Sequence, residues 1–194
     1  MMPGTNPVTQ SAPAADPTLH CAAIAPRPQA VTNNGRRNEM RAEVAMSEQN
    51  RELVRQVNEE FHNQGRIHEV IEQRFAPDFV NHSAPPGLPP TREGNAAFST
   101  AFRQAFPDYR ITIHDVIVEG DKVVTRKTFY GTHQGDWMGV PASGRKISFG
   151  GIDIVRIAGD KVVEHWGQFD MLTLVQQIGG LAPATPSEDE ASHA

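Results

Sequence analysis

One cysteine, Cys21, stands in the whole chain of 194 residues. An intramolecular disulfide and a cysteine-built metal or redox centre are therefore excluded, and nothing calls for an oxidising compartment. No apolar run approaches the roughly 18 residues that a membrane span needs. Basic residues are in the minority, with 18 Lys and Arg against 23 Asp and Glu and a net charge of −5. A nucleic-acid binder would carry a basic stripe instead. Phosphate-loop and serine-elbow patterns, Gly-x-x-x-x-Gly-Lys and Gly-x-Ser-x-Gly, are missing. His62, His68, His82, His114, His133 and His165 show no His-Glu-x-x-His spacing, so neither a metal nor a cofactor is expected.

Large apolar side chains are also scarce before residue 46, where Pro3, Pro7, Pro13, Pro17, Pro26 and Pro28 prevail. Such a composition buries too little surface to offset the entropy of ordering. Residues 1–45 are expected to be a disordered leader without the basic start and apolar run of a secretory signal, and Met46-Ser47 is an alternative start of translation. Residues 46–181 are expected to form one domain, and 182–194 an acidic tail around Pro186-Ser-Glu-Asp-Glu190. A soluble cytoplasmic protein is the default.

Within 46–181 the hydrophobic pattern changes period. Ser47 is a plausible N-cap for a helix carrying Leu53, Val54, Val57 and Phe61, ended by Gly65. Ile67, Val70, Ile71 and Phe75 continue it in a second helix stopped by Pro77, and Asp78–His82 reads as a short extended piece. Phe98, Ala101, Phe102 and Ala105 predict a third helix. From Tyr109 the spacing predicts strands over 109–118, 122–130, 146–157 and 161–169, rich in Val, Ile and Thr. Gly-Asp-Lys-Val-Val occurs at 120–124 and again at 159–163, each suited to a type II′ hairpin. Gly150-Gly151 predicts a bulge or bend in the third strand. Helix Met171–Ile178, closed by Gly179-Gly180, ends an α+β domain with helices on one face of a curved antiparallel sheet.

The last strand and helix, Lys161–Gly179, read together with Gly131-Thr-His-Gln-Gly135 and Pro141-Ala-Ser-Gly-Arg145, resemble the SnoaL-like polyketide cyclase ("ester cyclase") family over roughly 46–181. The resemblance implies an NTF2-like cone, its sheet wrapped around the N-terminal helices and a central pocket. It implies acid/base catalysis without a cofactor on a hydrophobic, polyketide-like carbonyl compound, with aldol-type ring closure. Where characterised family cyclases carry an acid/base Asp, two residues after the strand's His, this chain has Gly167. Limonene epoxide hydrolases share the fold, but the Arg between two Asp residues that they need is not reproduced around Arg126, where Thr128 and Gly167 stand instead.

If position 167 faces the pocket, strand alternation sends His165 and Phe169 inward and Trp166 and Gln168 outward. Asp153, among Ile152, Ile154 and Val155, is then a candidate base whose pKa desolvation would raise, or, after a bulge, a solvated outer carboxylate. His165 is its candidate partner for proton transfer or else a core histidine. Asp170 is either a substitute catalytic carboxylate or a helix cap. Asn81, His82, Arg126, Tyr130, Phe169 and Phe61 are candidate substrate-binding residues. An inward Arg126 would polarise a carbonyl, its neighbour Lys127 facing the other way; an outward Arg126 is plain surface charge. Trp137 and Met138 belong to a lid or to a subunit contact. Non-catalytic ligand holding, or homo-oligomerisation (dimer or tetramer) through the outer sheet face beside Trp166, is the rival reading.

Overall fold

A computed structural model describes residues 33–181. Helix α1 (Asn33–Asn58) runs into a π-helical turn (Glu59–Asn63), followed by α2 (Ile67–Arg74), β1 (Phe75–Asn81) and α3 (Arg92–Ala105). Strands β2 (Arg110–Glu119), β3 (Lys122–Thr132), β4 (Lys146–Ala158) and β5 (Lys161–Phe169) then precede α4 (Met171–Ile178). The sheet order is β1-β5-β4-β3-β2.

The expected antiparallel meander is present as β2 to β5, but the sheet is mixed. The piece read as a short extended segment is a full strand, β1, paired parallel to β5 through Phe75↔Val162 and Asn81↔His165. The expected leader also changes. Cys21 and the proline-rich residues lie outside the described residues, as does the acidic tail from 182, but residues 33–45 are helical and Ser47 caps nothing. The reason is local: between Arg36 and Ala45 the chain is mostly Arg, Glu, Met and Ala, strong helix formers that need no core. Met40 and Val44 stay exposed there.

Both Gly-Asp hairpins form as read. Gly120 and Gly159 take φ of 58° and 62°, while Asp121 and Asp160 do not adopt positive φ, the type II′ pattern. Gly150-Gly151 makes no bulge, since β3 and β4 stay in register through Thr128↔Gly150 and Lys127↔Gly151. Gly151 serves packing instead: a Cβ there would lie 2.6 Å from the Phe169 ring and 3.1 Å from the Phe129 ring.

From Leu53 onward the helices bury apolar side chains against one side of the sheet. Val54, Val57, Phe61, Val70 and Ile71 meet Val116, Val123, Ile157 and Val162 at one end. Phe102, Phe106, Trp137, Leu174 and Ile178 meet Phe129, Ile147 and Phe149 at the other. Each such side chain contributes about 1.5–3 kcal/mol when fully buried. Between these two clusters the inner face carries polar side chains.

Candidate functional site

Four neighbouring strands bring the polar residues together. Asn81 is paired with His165 across β1 and β5, and Asp153 with Gly167 across β4 and β5. Lys127 stands opposite Gly151, one step along from Asp153. Strand alternation therefore points Lys127, Asp153, His165 and Asn81 into the same layer. Lys127, Asp153 and Asn81 are 3%, 5% and 6% exposed, and His165 is the more open member.

Lys127 Nζ is ion-paired with Asp153 Oδ2, and the other carboxylate oxygen, Oδ1, lies 3.0 Å from His165 Nε2. His165 Nδ1 is 3.0 Å from Asn81 Oδ1. That amide oxygen also accepts from the backbone N–H of Ser83 at 2.9 Å, which fixes which end of the amide faces the ring. Both imidazole nitrogens thus face acceptors, and both bonds are made together only by the imidazolium form. On the far side, Lys127 donates to Asn58 Oδ1 at 2.7 Å, and its ammonium lies 3.5 Å from His62 Nε2. His62 Nδ1 in turn meets the Tyr109 hydroxyl at 3.1 Å.

Desolvation alone would raise the Asp153 pKa, as the sequence suggests. The Lys127 ammonium and His165 outweigh it, and the carboxyl is held well below the usual range. The expected upward shift is thereby corrected: Asp153 is a fixed carboxylate at neutral pH. His62 is shifted far down by burial and by Lys127, so it is neutral. The result is one buried anion between the Lys127 ammonium and the His165 ring. Such a group costs desolvation energy and is tolerated because every partner is satisfied.

Other expected site residues lie elsewhere. Arg126 points outward and pairs with Asp115 at 2.6 Å on the exposed face. Tyr130, four residues on, faces the same way, under the Arg110 guanidinium. Lys127 takes the inward place that was assigned to Arg126, because β3 turns Val123, Thr125 and Phe129 to the core. His82 also lies outside. Its ring stacks on Trp166 at 4.5 Å and its Nε2 is 3.1 Å from Glu164. Phe61 belongs to the apolar cluster under α1. Asp170 caps α4, accepting from Thr173 N at 2.9 Å. Phe169 does face inward, its ring over Gly151 and Gly167 and edge-on to Phe129. Trp137 is buried against Phe98, Phe102 and Phe106, while Met138 beside it is exposed at φ 54°.

Gly167 lies within this layer, beside Asp153. A Cβ there would be 2.6 Å from Phe169 Cε2 and 3.0 Å from His165 Cε1. Phe169 and His165 occupy the room that a side chain at 167 would use.

The family described as SnoaL-like polyketide cyclase matches residues 52–178. The chain belongs to the SnoaL-like polyketide cyclase family. Among curated relatives it is 30% identical over 132 residues to the aklanonic acid methyl ester cyclase DnrD of Streptomyces peucetius, covering 66% of this chain and 89% of the relative. DauD of Streptomyces strain C5, of the same description, is 30% identical with 66% and 80% covered. Among solved structures, TsrD of Streptomyces laurentii superposes with a TM-score of 0.60 at 34% identity, over 68% of this chain and 98% of its own. IdmH of Streptomyces antibioticus gives 0.60, 34%, 68% and 99%. The fold of this SnoaL-like chain, helices against a curved, unclosed five-stranded sheet, is that of its family.

Among the described residues no group of three or more His, Cys, Asp or Glu is placed to hold a metal ion. No helix among them is long and apolar enough to cross a membrane. Lys127, Asn58 and His62 are the site residues that sequence reasoning missed. The available signal was weak: one of Arg126 and Lys127 had to face inward, and apolar residues flank both.

Proposed function

We propose that this SnoaL-like protein is an enzyme that closes a ring in a hydrophobic, polyketide-like carbonyl compound by cofactor-independent acid/base chemistry, with His165 as the proton carrier and Asp153 as its fixed counter-charge. The observation that carries this reading is the 3.0 Å contact between His165 Nε2 and the buried Asp153 carboxylate. Nε2 is tied to an anion, a strong hydrogen bond, whereas Nδ1 is held only by the neutral amide of Asn81. The Nδ1 proton is therefore the one to be released. In the reaction the ring lacking its Nδ1 proton takes a proton from the attacking carbon, between two carbonyls, and as the new C–C bond forms Nδ1–H gives that proton to the oxygen of the carbonyl under attack, so the cycle closes with no net proton change. Lys127 and His165 favour the developing enolate through their positive charge. The acid/base role that the resemblance gives to position 167 would here fall to His165, two residues earlier on the same strand.

One observation favours a second reading. Both Asp153 oxygens and both His165 nitrogens already have partners within the protein, as in a structural network of a ligand-holding module. The test is turnover and binding of a panel of polyketide-type and terpenoid carbonyl compounds by the full chain, His165→Ala and Asp153→Asn. Turnover abolished in folded variants supports the enzyme. Binding without turnover, untouched by either substitution, leaves the ligand-holding module.

The same reading takes the protein as a cytoplasmic homo-oligomer paired through its outer sheet face. Register aligns Ile117, Val124, Ile154 and Trp166 in one row across four strands of that face. A mixed-charge row of Glu119, Lys122, Arg156 and Glu164 borders it, which suits self-association about a twofold axis. Light scattering of the full chain and of Trp166→Glu tests this: a monomer in both would sink it.

A further inference from the structure

We infer that Lys127 is a positioning residue for His165, acting through Asp153, and that Asn58 and His62 hold Lys127 in place for that task. The inference rests on the reading of His165 as the proton carrier. An ammonium has three protons, and around Lys127 Nζ stand three acceptors: Asp153 Oδ2, Asn58 Oδ1 and His62 Nε2. Nothing is left over for a ligand, so Lys127 does not act by touching substrate.

Each acceptor is itself fixed. Asn58 donates its amide N–H to the Val54 carbonyl at 2.8 Å, which aims Oδ1 at the ammonium. His62 is neutral, with Nε2 toward Lys127 and the Nδ1 proton toward the Tyr109 hydroxyl. The π-helical turn brings His62 there, and Arg103 donates to the His62 carbonyl. Helix-side residues thus pin a strand-side cation from two directions.

The consequence falls on the carboxylate. Lys127 takes Oδ2 and leaves only Oδ1 to His165, so the carboxylate makes one bond to the ring and shares its charge between ring and ammonium. Without Lys127, Oδ2 would be free and the whole negative charge would fall to the imidazole. The titratable groups that face His165 are Asp153 from β4, Lys127 behind it from β3 and His62 from the π-helical turn; Asn81 faces it from β1, and Glu164 lies on the opposite face of β5.

The experiment is an NMR pH titration of the histidine ring nitrogens in the full chain, with His165 assigned by His165→Gln. In Lys127→Met, a near-isosteric apolar change, the His165 midpoint is expected to rise by about one unit, as for a histidine whose carboxylate partner is no longer shared. Asn58→Ala, which loosens Lys127, is expected to shift it the same way by less. An unchanged His165 midpoint in a natively folded Lys127→Met overturns the inference. If that variant does not fold, Lys127→Met/Asp153→Asn, which removes both charges, takes its place. Its midpoint is expected to lie below that of the unaltered protein, and an equal midpoint overturns the inference. The readout needs no substrate. A shifted midpoint with no turnover in any variant would sink the enzyme reading alone, and an unshifted midpoint with turnover lost in His165→Ala would sink the Lys127 inference alone.

Discussion

Placing a carboxylate at position 167 by Gly167→Asp is predicted to destabilise this protein. The Cβ alone would stand 2.6 Å from Phe169 Cε2 and 3.0 Å from both Phe169 Cζ and His165 Cε1. Those are rigid ring atoms, and Phe169 is edge-packed on Phe129 with Gly151 beneath it, so the ring can yield only toward its partly exposed side. Overpacking of this kind costs about 1–3 kcal/mol. The new carboxylate would also sit in the layer of Asp153, whose two oxygens already use the nearby cations. A total near 3 kcal/mol is expected, or a fall in Tm of roughly 6–12 °C for a domain of this size. The cause can be isolated with Phe169→Ala. Measured by urea unfolding, Gly167→Asp should cost at least about 1 kcal/mol less in the Phe169→Ala background than alone, a coupling within the range for touching residues. A Gly167→Asp protein as stable as the parent, or strictly additive with Phe169→Ala, would refute the claim that Phe169 and His165 have taken over the space at 167.

Asp153→Asn leaves the Lys127 ammonium buried beside a neutral amide and should cost about 3–5 kcal/mol in urea unfolding; a loss under 1 kcal/mol would contradict the ion pair. The folded Asp153 pKa is depressed, so its stabilisation is present above the unfolded carboxylate value of about 3.9 and fades as pH falls through the folded one. Unfolding measured from pH 6 down to pH 3 should therefore decline less steeply in Asp153→Asn than in the parent. Asp170→Ala should cost about 1 kcal/mol through lost capping and leave ligand binding unchanged, as a thermal melt and a binding titration would show. Arg126→Ala, which removes an exposed pair, should change stability by no more than about 0.5 kcal/mol and leave any turnover unaffected.

The elements from Tyr109 onward were legible because their signals are local. Gly-Asp turns, β-branched runs and the Gly179 cap depend on neighbours in sequence, and helix Met171–Ile178 and strand Lys161–Phe169 have the expected bounds. Alternation also correctly separated His165 from Trp166. It failed at β3, where Val123 and Val124, or Phe129 and Tyr130, are equally apolar and do not say which face meets the helices. Burial decided it, leaving Arg126 with Asp115 and sending Lys127 inward. The pKa of Asp153 was read in the wrong direction for the same reason, since its cation comes from another strand. Asn58 and His62 carry no motif; their role follows only from helix packing against the sheet.

The π-helical turn Glu59–Asn63 has a consequence for how this site tolerates changes in chain length. A π-turn is one residue longer than the α-helical turn it replaces, and one residue corresponds to a 100° rotation of everything beyond it. Just before the turn, Asn58 reaches Lys127; at its last residue, Asn63 accepts from Ile111 N on edge strand β2 at 2.8 Å. Removing a single residue between them would make a more regular helix while swinging either the Lys127 contact or the β2 contact out of line. Shortening the chain here by the smallest possible step would disturb the site more than adding residues to the Gly120-Asp121 hairpin, which touches none of its members.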